Sequence, residues 1–184
     1  MAAASVLHEH LYRIRRVDYE KMAESGVFGD SHVELLYGLI VQMSPKGPLH
    51  DGTIDILAKL FIRQLGDRTT VRIQNAFAAS DGSEPEPDIT IVPPGDYRKA
   101  HPEKALLVIE VADSSLETDR EAKARLYAEC GVPEYWVVNV RDGIVEVHTE
   151  IVRGAYTRVQ PHRHGDHIRL VAFPDVEIAV SDVF

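Results

Sequence analysis

The run Ala105-Leu-Leu-Val-Ile-Glu-Val-Ala112, the polar stretch from Asp113 to Cys130, and the run Gly131-Val-Pro-Glu-Tyr-Trp-Val-Val-Asn-Val140 together decide the fold. The first run is almost wholly apolar, as in a strand covered on both faces, and Glu110 is its only charge. A helix should follow. Thr118 and Glu121 fit a capping box, Asp119 suits the first turn, and Gly131 with Pro133 gives a stop. Ala122, Leu126 and Cys130 recur every four residues and are expected to face the sheet, with Lys123 and Tyr127 on a neighbouring stripe. From there Lys123 can lean toward the strand carrying Glu110. Glu134 to Val140 reads as the next buried strand, and Arg141-Asp-Gly143 turns it into a hairpin with Ile144 to His148. A strand, helix, strand crossover beside hairpins predicts an α/β protein with a mixed central sheet flanked by helices.

Upstream, Pro87-Asp-Ile-Thr-Ile-Val92 is a second buried strand opened by a carboxylate, and period two puts Asp88, Thr90 and Val92 on one face. Pro87 fixes its own φ and suits a strand start. The polar loop Ser80 to Pro87 delivers the chain to it, after a strand expected over Thr69 to Ala79. Ile54, Leu57, Ala58, Phe61, Ile62 and Leu65 repeat at helical spacing up to Gly66. Glu34-Leu-Leu-Tyr-Gly-Leu-Ile-Val-Gln-Met43 suggests paired strands about Gly38, with Glu34 at their start, and Asp18 to Glu24 suggests a short helix ended by Gly26. Late strands are expected over Ala155 to Val159 and His167 to Leu170, before Phe173 to Phe184 returns to the body.

With 184 residues and 45% hydrophobic content, the chain suits one domain over 1–184, residues 1–17 forming a flexible or peripheral N-terminal segment. The absence of a membrane-length apolar run or a secretory signal points to a soluble cytoplasmic protein. A formal charge of -9 argues against coating nucleic acid by bulk electrostatics, though not against engaging it locally. Arg13, Arg15, Arg16 and Lys21 form one basic cluster, and Arg120, Lys123 and Arg125 another; solvated surface is the ordinary reading of both. The single cysteine, Cys130, reads as a small buried thiol. His162-Arg-His164-Gly-Asp-His167 reads as a solvated turn rather than a zinc site. Tyr135 and Trp136 read as core rather than as platforms for bases.

Ionised carboxylates in apolar strands are costly unless paired or bound to a cation. Asp88 and Glu110 offer hard oxygen ligands that suit Mg²⁺ or Mn²⁺, and Lys123 can orient water or hold a phosphate oxygen. Glu34 could bind a second metal or its water. The plainer reading makes Asp88 a strand-start cap and Glu110 the ion-pair partner of Lys123.

Glu34-Leu-Leu-Tyr-Gly-Leu-Ile-Val, Pro45 with His50, Glu86-Pro-Asp88, Val108-Ile-Glu-Val-Ala-Asp-Ser-Ser115, Asp119 to Lys123 and Gly131-Val-Pro-Glu-Tyr-Trp-Val-Val138 resemble the Uma-type family of restriction endonuclease-like proteins, within the PD-(D/E)XK nuclease superfamily. The resemblance runs from about Asp18 to the C-terminus. It implies a restriction-endonuclease-like core and phosphodiester hydrolysis in DNA with Mg²⁺ or Mn²⁺. Asp88, Glu110, the Val111 backbone carbonyl and Glu34 are the implied metal ligands, and Asp88, Glu110, Lys123 and Glu34 the implied catalytic set. His50 and Gln74 are accessory candidates. The chain departs from the superfamily's plain Glu-x-Lys pattern at Ala112, and the resemblance moves the lysine to the following helix, at Lys123. A homodimer is plausible for a nuclease cutting both strands. The alternative is a catalytically inactive nuclease-fold module that binds nucleic acid or protein.

Overall fold

The computed structural model describes residues 11–184, so residues 1–10 of the expected N-terminal segment lie outside the described residues. A six-stranded sheet carries the architecture, in the order β3-β4-β5-β6-β7-β8. Its strands are β3 (Thr70–Ile73), β4 (Ile89–Val92), β5 (Leu107–Ala112), β6 (Tyr135–Asn139), β7 (Ile144–Val152) and β8 (Ala155–His162). Only β5 and β6 are parallel, joined by the expected crossover helix; the other neighbours are antiparallel. The α/β class and mixed sheet read from the sequence are therefore present. Two hairpins lie outside this sheet: β1 (Val33–Leu36) with β2 (Leu39–Gln42), and β9 (His167–Arg169) with β10 (Glu177–Ala179).

Helix α1 is Arg16–Glu24, and α2 is Pro48–Leu65. Pro48 opens α2 where its missing N–H costs nothing, which starts the helix earlier than the apolar repeat alone indicates. Ile54, Leu57, Ala58, Phe61 and Leu65 pack on one face of the sheet with Ile89, Ile91, Ile109, Val111 and Trp136. Ile62 belongs to the expected stripe but is 53% exposed, because it falls on the helix edge turned from the sheet. The opposite face holds Val92, Val108, Ala112, Tyr135 and Val137 beneath Ala124 and Tyr127. Burial of both faces explains why β5 is apolar at nearly every position.

Three local expectations need correction. The strand expected over Thr69 to Ala79 ends at Ile73, since Gln74 takes φ +49° and turns the chain out of the ladder. The crossover helix α3 runs through Leu116–Thr118, a π-helical turn Asp119–Lys123, and Ala124–Glu129. Thr118 makes no capping hydrogen bond; instead the Ser115 hydroxyl donates to Asp119 Oδ2. The wide turn also shifts the helix phase, so Lys123, Ala124 and Tyr127 are buried while Ala122 is exposed and Cys130 half-buried. Burial and Glu129 push the Cys130 thiol up to about 11, which suits an inert cysteine.

The β1–β2 hairpin is tied to the loop before β4. Leu35 and Glu84 exchange backbone hydrogen bonds of 3.2 and 2.8 Å, and the Gly38 amide donates to Gly82 O at 2.6 Å. Gly38 sits at φ +76°, and a Cβ there would lie 2.7 Å from Arg13 Cβ. The loop Ser80 to Pro87 is thus an anchored bridge, with Ser83 and Glu84 buried.

Candidate active site

Register brings the two strand carboxylates together. Ile89 pairs with Ile109 across the antiparallel β4–β5 ladder, so Asp88, one residue earlier, comes opposite Glu110. Both project toward the face that α3 covers, since Ile89, Ile91, Ile109 and Val111 fill the α2 face. The anchored hairpin brings in Glu34, and α3 brings Asp119 and Lys123. All five are buried, and they line a cleft of about 160 Å³ with Lys46, His50 and Glu86.

Lys123 Nζ donates to Glu110 Oε1 at 3.1 Å and lies 3.4 Å from Glu34 Oε1. The Tyr127 hydroxyl donates to the same Glu110 oxygen at 2.7 Å, and the Glu86 amide donates to Glu34 Oε2 at 3.2 Å. At Asp88, Oδ2 accepts from the Val111 amide at 2.9 Å and from His50 Nε2 at 3.1 Å, while Oδ1 accepts from Lys46 Nζ at 3.1 Å. Val111 therefore meets the site through its N–H in this structure. His50 also faces Asp51 at 3.1 Å through Nδ1, so both ring nitrogens have carboxylate partners.

The electrostatics follow from burial and from an excess of acids. Burial alone would raise the Asp88 pKa, but His50, Lys46 and the Val111 amide outweigh it and hold it below the ordinary value. At His50 burial opposes protonation, yet Asp88 and Asp51 prevail and raise its pKa. Glu110 is pushed up to about 8, chiefly by burial; Lys123 offsets part of this, and Asp88, Asp119 and Glu34 add to it. Lys123 moves up as well, because Glu110, Glu34 and Asp119 outweigh its burial. Burial likewise raises Asp119.

Among the described residues, no three His, Cys, Asp or Glu side chains converge as a ready-made metal cluster. Lys123 stands between Glu34 and Glu110, and Lys46 holds Asp88 Oδ1. The donor set nonetheless fits a hard divalent cation. Carboxylate oxygens dominate the cleft, and Glu34, Glu86, Asp88, Glu110 and Asp119 outnumber Lys46, His50 and Lys123.

Of the residues singled out in the sequence, Asp88, Glu110, Lys123, Glu34 and His50 share this cleft. Gln74 does not; it lines a neighbouring cleft of about 570 Å³, although its amide donates to Asp88 O at 3.0 Å. Lys46, Asp119 and Tyr127 were not expected in the site, although Asp119 was placed in the first helix turn and Tyr127 on the stripe with Lys123. The i, i+4, i+8 spacing of Asp119, Lys123 and Tyr127 was the available signal for two of them. Lys46 comes from an irregular segment with no periodicity to read.

The other candidates resolve without a second centre. Arg15 and Lys21 meet Asp18, Arg16 meets Glu20, and Arg125 meets Glu129, so both basic clusters are largely paired at the surface. Arg120 pairs with Glu146, while Lys123 is buried in the cleft. Tyr135 and Trp136 are fully buried core residues. Among the described residues no helix is long and apolar enough to cross a membrane.

A mixed sheet with helices on both faces, and facing carboxylates at one end of its β4–β5 pair, is a restriction-endonuclease-like architecture. The chain belongs to the Uma2 family, described as "Putative restriction endonuclease", whose sequence pattern matches residues 16–181. No curated protein matches it. Its fold is similar to a crystal structure described as "a putative nuclease belonging to DUF820 from Anabaena variabilis ATCC 29413", with a TM-score of 0.70 and 13% identity over 84% of this chain and 90% of that one.

Proposed function

We propose that the protein is a divalent-metal-dependent endonuclease that hydrolyses phosphodiester bonds in DNA. The observation carrying this reading is the meeting of Asp88, Glu110, Glu34 and Lys123 in one buried, acid-rich cleft. Family membership supports it. Asp88, Glu110 and Glu34, with the Val111 carbonyl, would hold Mg²⁺ or Mn²⁺. When bound, such an ion lowers the pKa of water and neutralises charge on the phosphoryl oxygens. The protein groups do the rest. Lys123, kept charged by three carboxylates, orients the nucleophilic water or a phosphate oxygen, and Tyr127 fixes the Glu110 carboxylate by its hydrogen bond. His50 and the Val111 amide hold Asp88 in one rotamer. A homodimer belongs to the same proposal, as the assembly for cutting both strands.

The test is a cleavage screen over single-stranded, duplex and branched DNA with Mg²⁺ or Mn²⁺, comparing wild type with Asp88→Asn and Glu110→Gln. Wild type should cut, and each variant should lose on the order of 10²-fold or more in rate while keeping its fold. Full cleavage by either variant, or by wild type in excess chelator, refutes the proposal. The competing reading is a non-catalytic binding module, favoured by one observation: both Asp88 oxygens already have partners from the chain. It expects no turnover and no calorimetric response to either ion.

A further inference from the structure

Lys46 reaches the proposed metal site at Asp88 Oδ1, yet it differs from Lys123 in exposure, in the element that carries it and in the number of carboxylates it touches. The Lys123 side chain is 8% exposed, rides on α3 and touches two carboxylates. The Lys46 side chain is 27% exposed, comes from the irregular segment between β2 and α2, and touches one. Its contact is also selective. Asp88 Oδ2 is held by His50 and the Val111 amide, whereas Lys46 is the hydrogen-bond partner of Oδ1 among the described residues. Withdrawal of this one side chain frees one carboxylate oxygen and leaves the Asp88 rotamer fixed. Lys46 has somewhere to go, because it lies on the wall shared by the small acidic cleft and the neighbouring cleft of about 570 Å³.

We infer that Lys46 is a built-in counter-ion that occupies the cation position at Asp88 Oδ1 and is displaced by the divalent metal. This rests on the metal-dependent reading above. A partly exposed ion pair is weakly held, so a doubly charged ion coordinated by several buried oxygens can replace it. The displaced ammonium, on its four-carbon stem, turns to the larger cleft, where a backbone phosphate of a nucleic acid is the chemistry it suits. Lys46 is thereby a positioning residue: it neutralises Asp88 Oδ1 until metal arrives, while His50 and the Val111 amide keep the carboxylate oriented.

The experiment is Mn²⁺ binding by calorimetry to wild type, Lys46→Met, Lys46→Arg and Glu110→Gln, with thermal melts confirming the fold. Lys46→Met should bind Mn²⁺ more tightly by on the order of tenfold, the scale on which one adjacent charge alters a carboxylate's affinity for a proton. Lys46→Arg should bind no more tightly than wild type, and Glu110→Gln more weakly. Equal or weaker binding by Lys46→Met, with Glu110→Gln still impaired, overturns the role of Lys46 and leaves the metal reading standing. Absence of Mn²⁺ binding in wild type and in Lys46→Met alike overturns both.

Discussion

Replacing Lys123 with methionine removes a buried ammonium while nearly keeping its volume, so it isolates charge from packing. Two carboxylate oxygens lie 3.1 and 3.4 Å from Nζ, and Asp119 also acts on it. Breaking a buried pair by deleting one partner costs about 3–5 kcal/mol, because the remaining charge is left uncompensated. That full cost applies where Glu110 is ionised; its pKa is already raised to about 8 beside Lys123, and loss of the ammonium raises it further. A raised carboxyl pKa means that the folded state holds its proton where the unfolded chain has lost it. Below about 8 wild type and variant both hold this proton and share one pH slope, so the gap between them widens only above about 8, by up to about 1.4 kcal/mol per pH unit. Urea unfolding without divalent metal should show Lys123→Met less stable than wild type, with the gap widening from about pH 8 upward toward about 3 kcal/mol. Adding Glu110→Gln to Lys123→Met should restore most of the loss at the higher pH, as a double-mutant cycle would report. If Lys123→Met matches or exceeds wild-type stability throughout pH 8 to 10, Lys123 is not the counter-ion of an ionised cluster.

Two further outcomes are expected away from the cleft. Glu84 is raised to about 7 by burial and by its carboxyl hydrogen bond to Glu20, with Arg16 opposing. Its contribution to stability is therefore full below its ordinary pKa and lost as pH rises through about 7; Glu84→Gln should flatten this slope, worth on the order of 2 kcal/mol, in denaturation curves from pH 4 to 8. Gly38→Ala places a Cβ 2.7 Å from Arg13 Cβ at a positive φ, and should lower stability by about 1–3 kcal/mol in thermal or urea unfolding. Unchanged stability would mean that the segment holding Arg13 does not pack on the hairpin in solution.

Much of the site was legible because its chemistry lies in regular elements with simple periods. The apolar runs around Glu110 and Asp88 gave their strands, and period two gave the face each carboxylate takes. Lys123 could be placed on the crossover helix, but not its phase: the four-residue repeat of Ala122, Leu126 and Cys130 took no account of the π-helical turn at Asp119–Lys123. The expected strand through Ala79 failed for a similar reason, since no residue type announces the positive φ of Gln74.

The sequence by itself determined the strand, helix, strand unit, the mixed sheet and Glu110 inside its strand, with Asp88 one residue ahead of the strand it was read to open, because alternation and helix signals act over a few neighbouring residues. Only the tertiary structure decided that Glu34, Lys46, His50 and Asp119 meet them. That convergence depends on β4–β5 register, on the bridge between Leu35 and Glu84, and on how α2 and α3 lie across opposite faces of the sheet. Such pairings are set by burial between distant segments and leave no local period to read. The same distance in sequence hid Lys46, whose partner Asp88 comes 42 residues later.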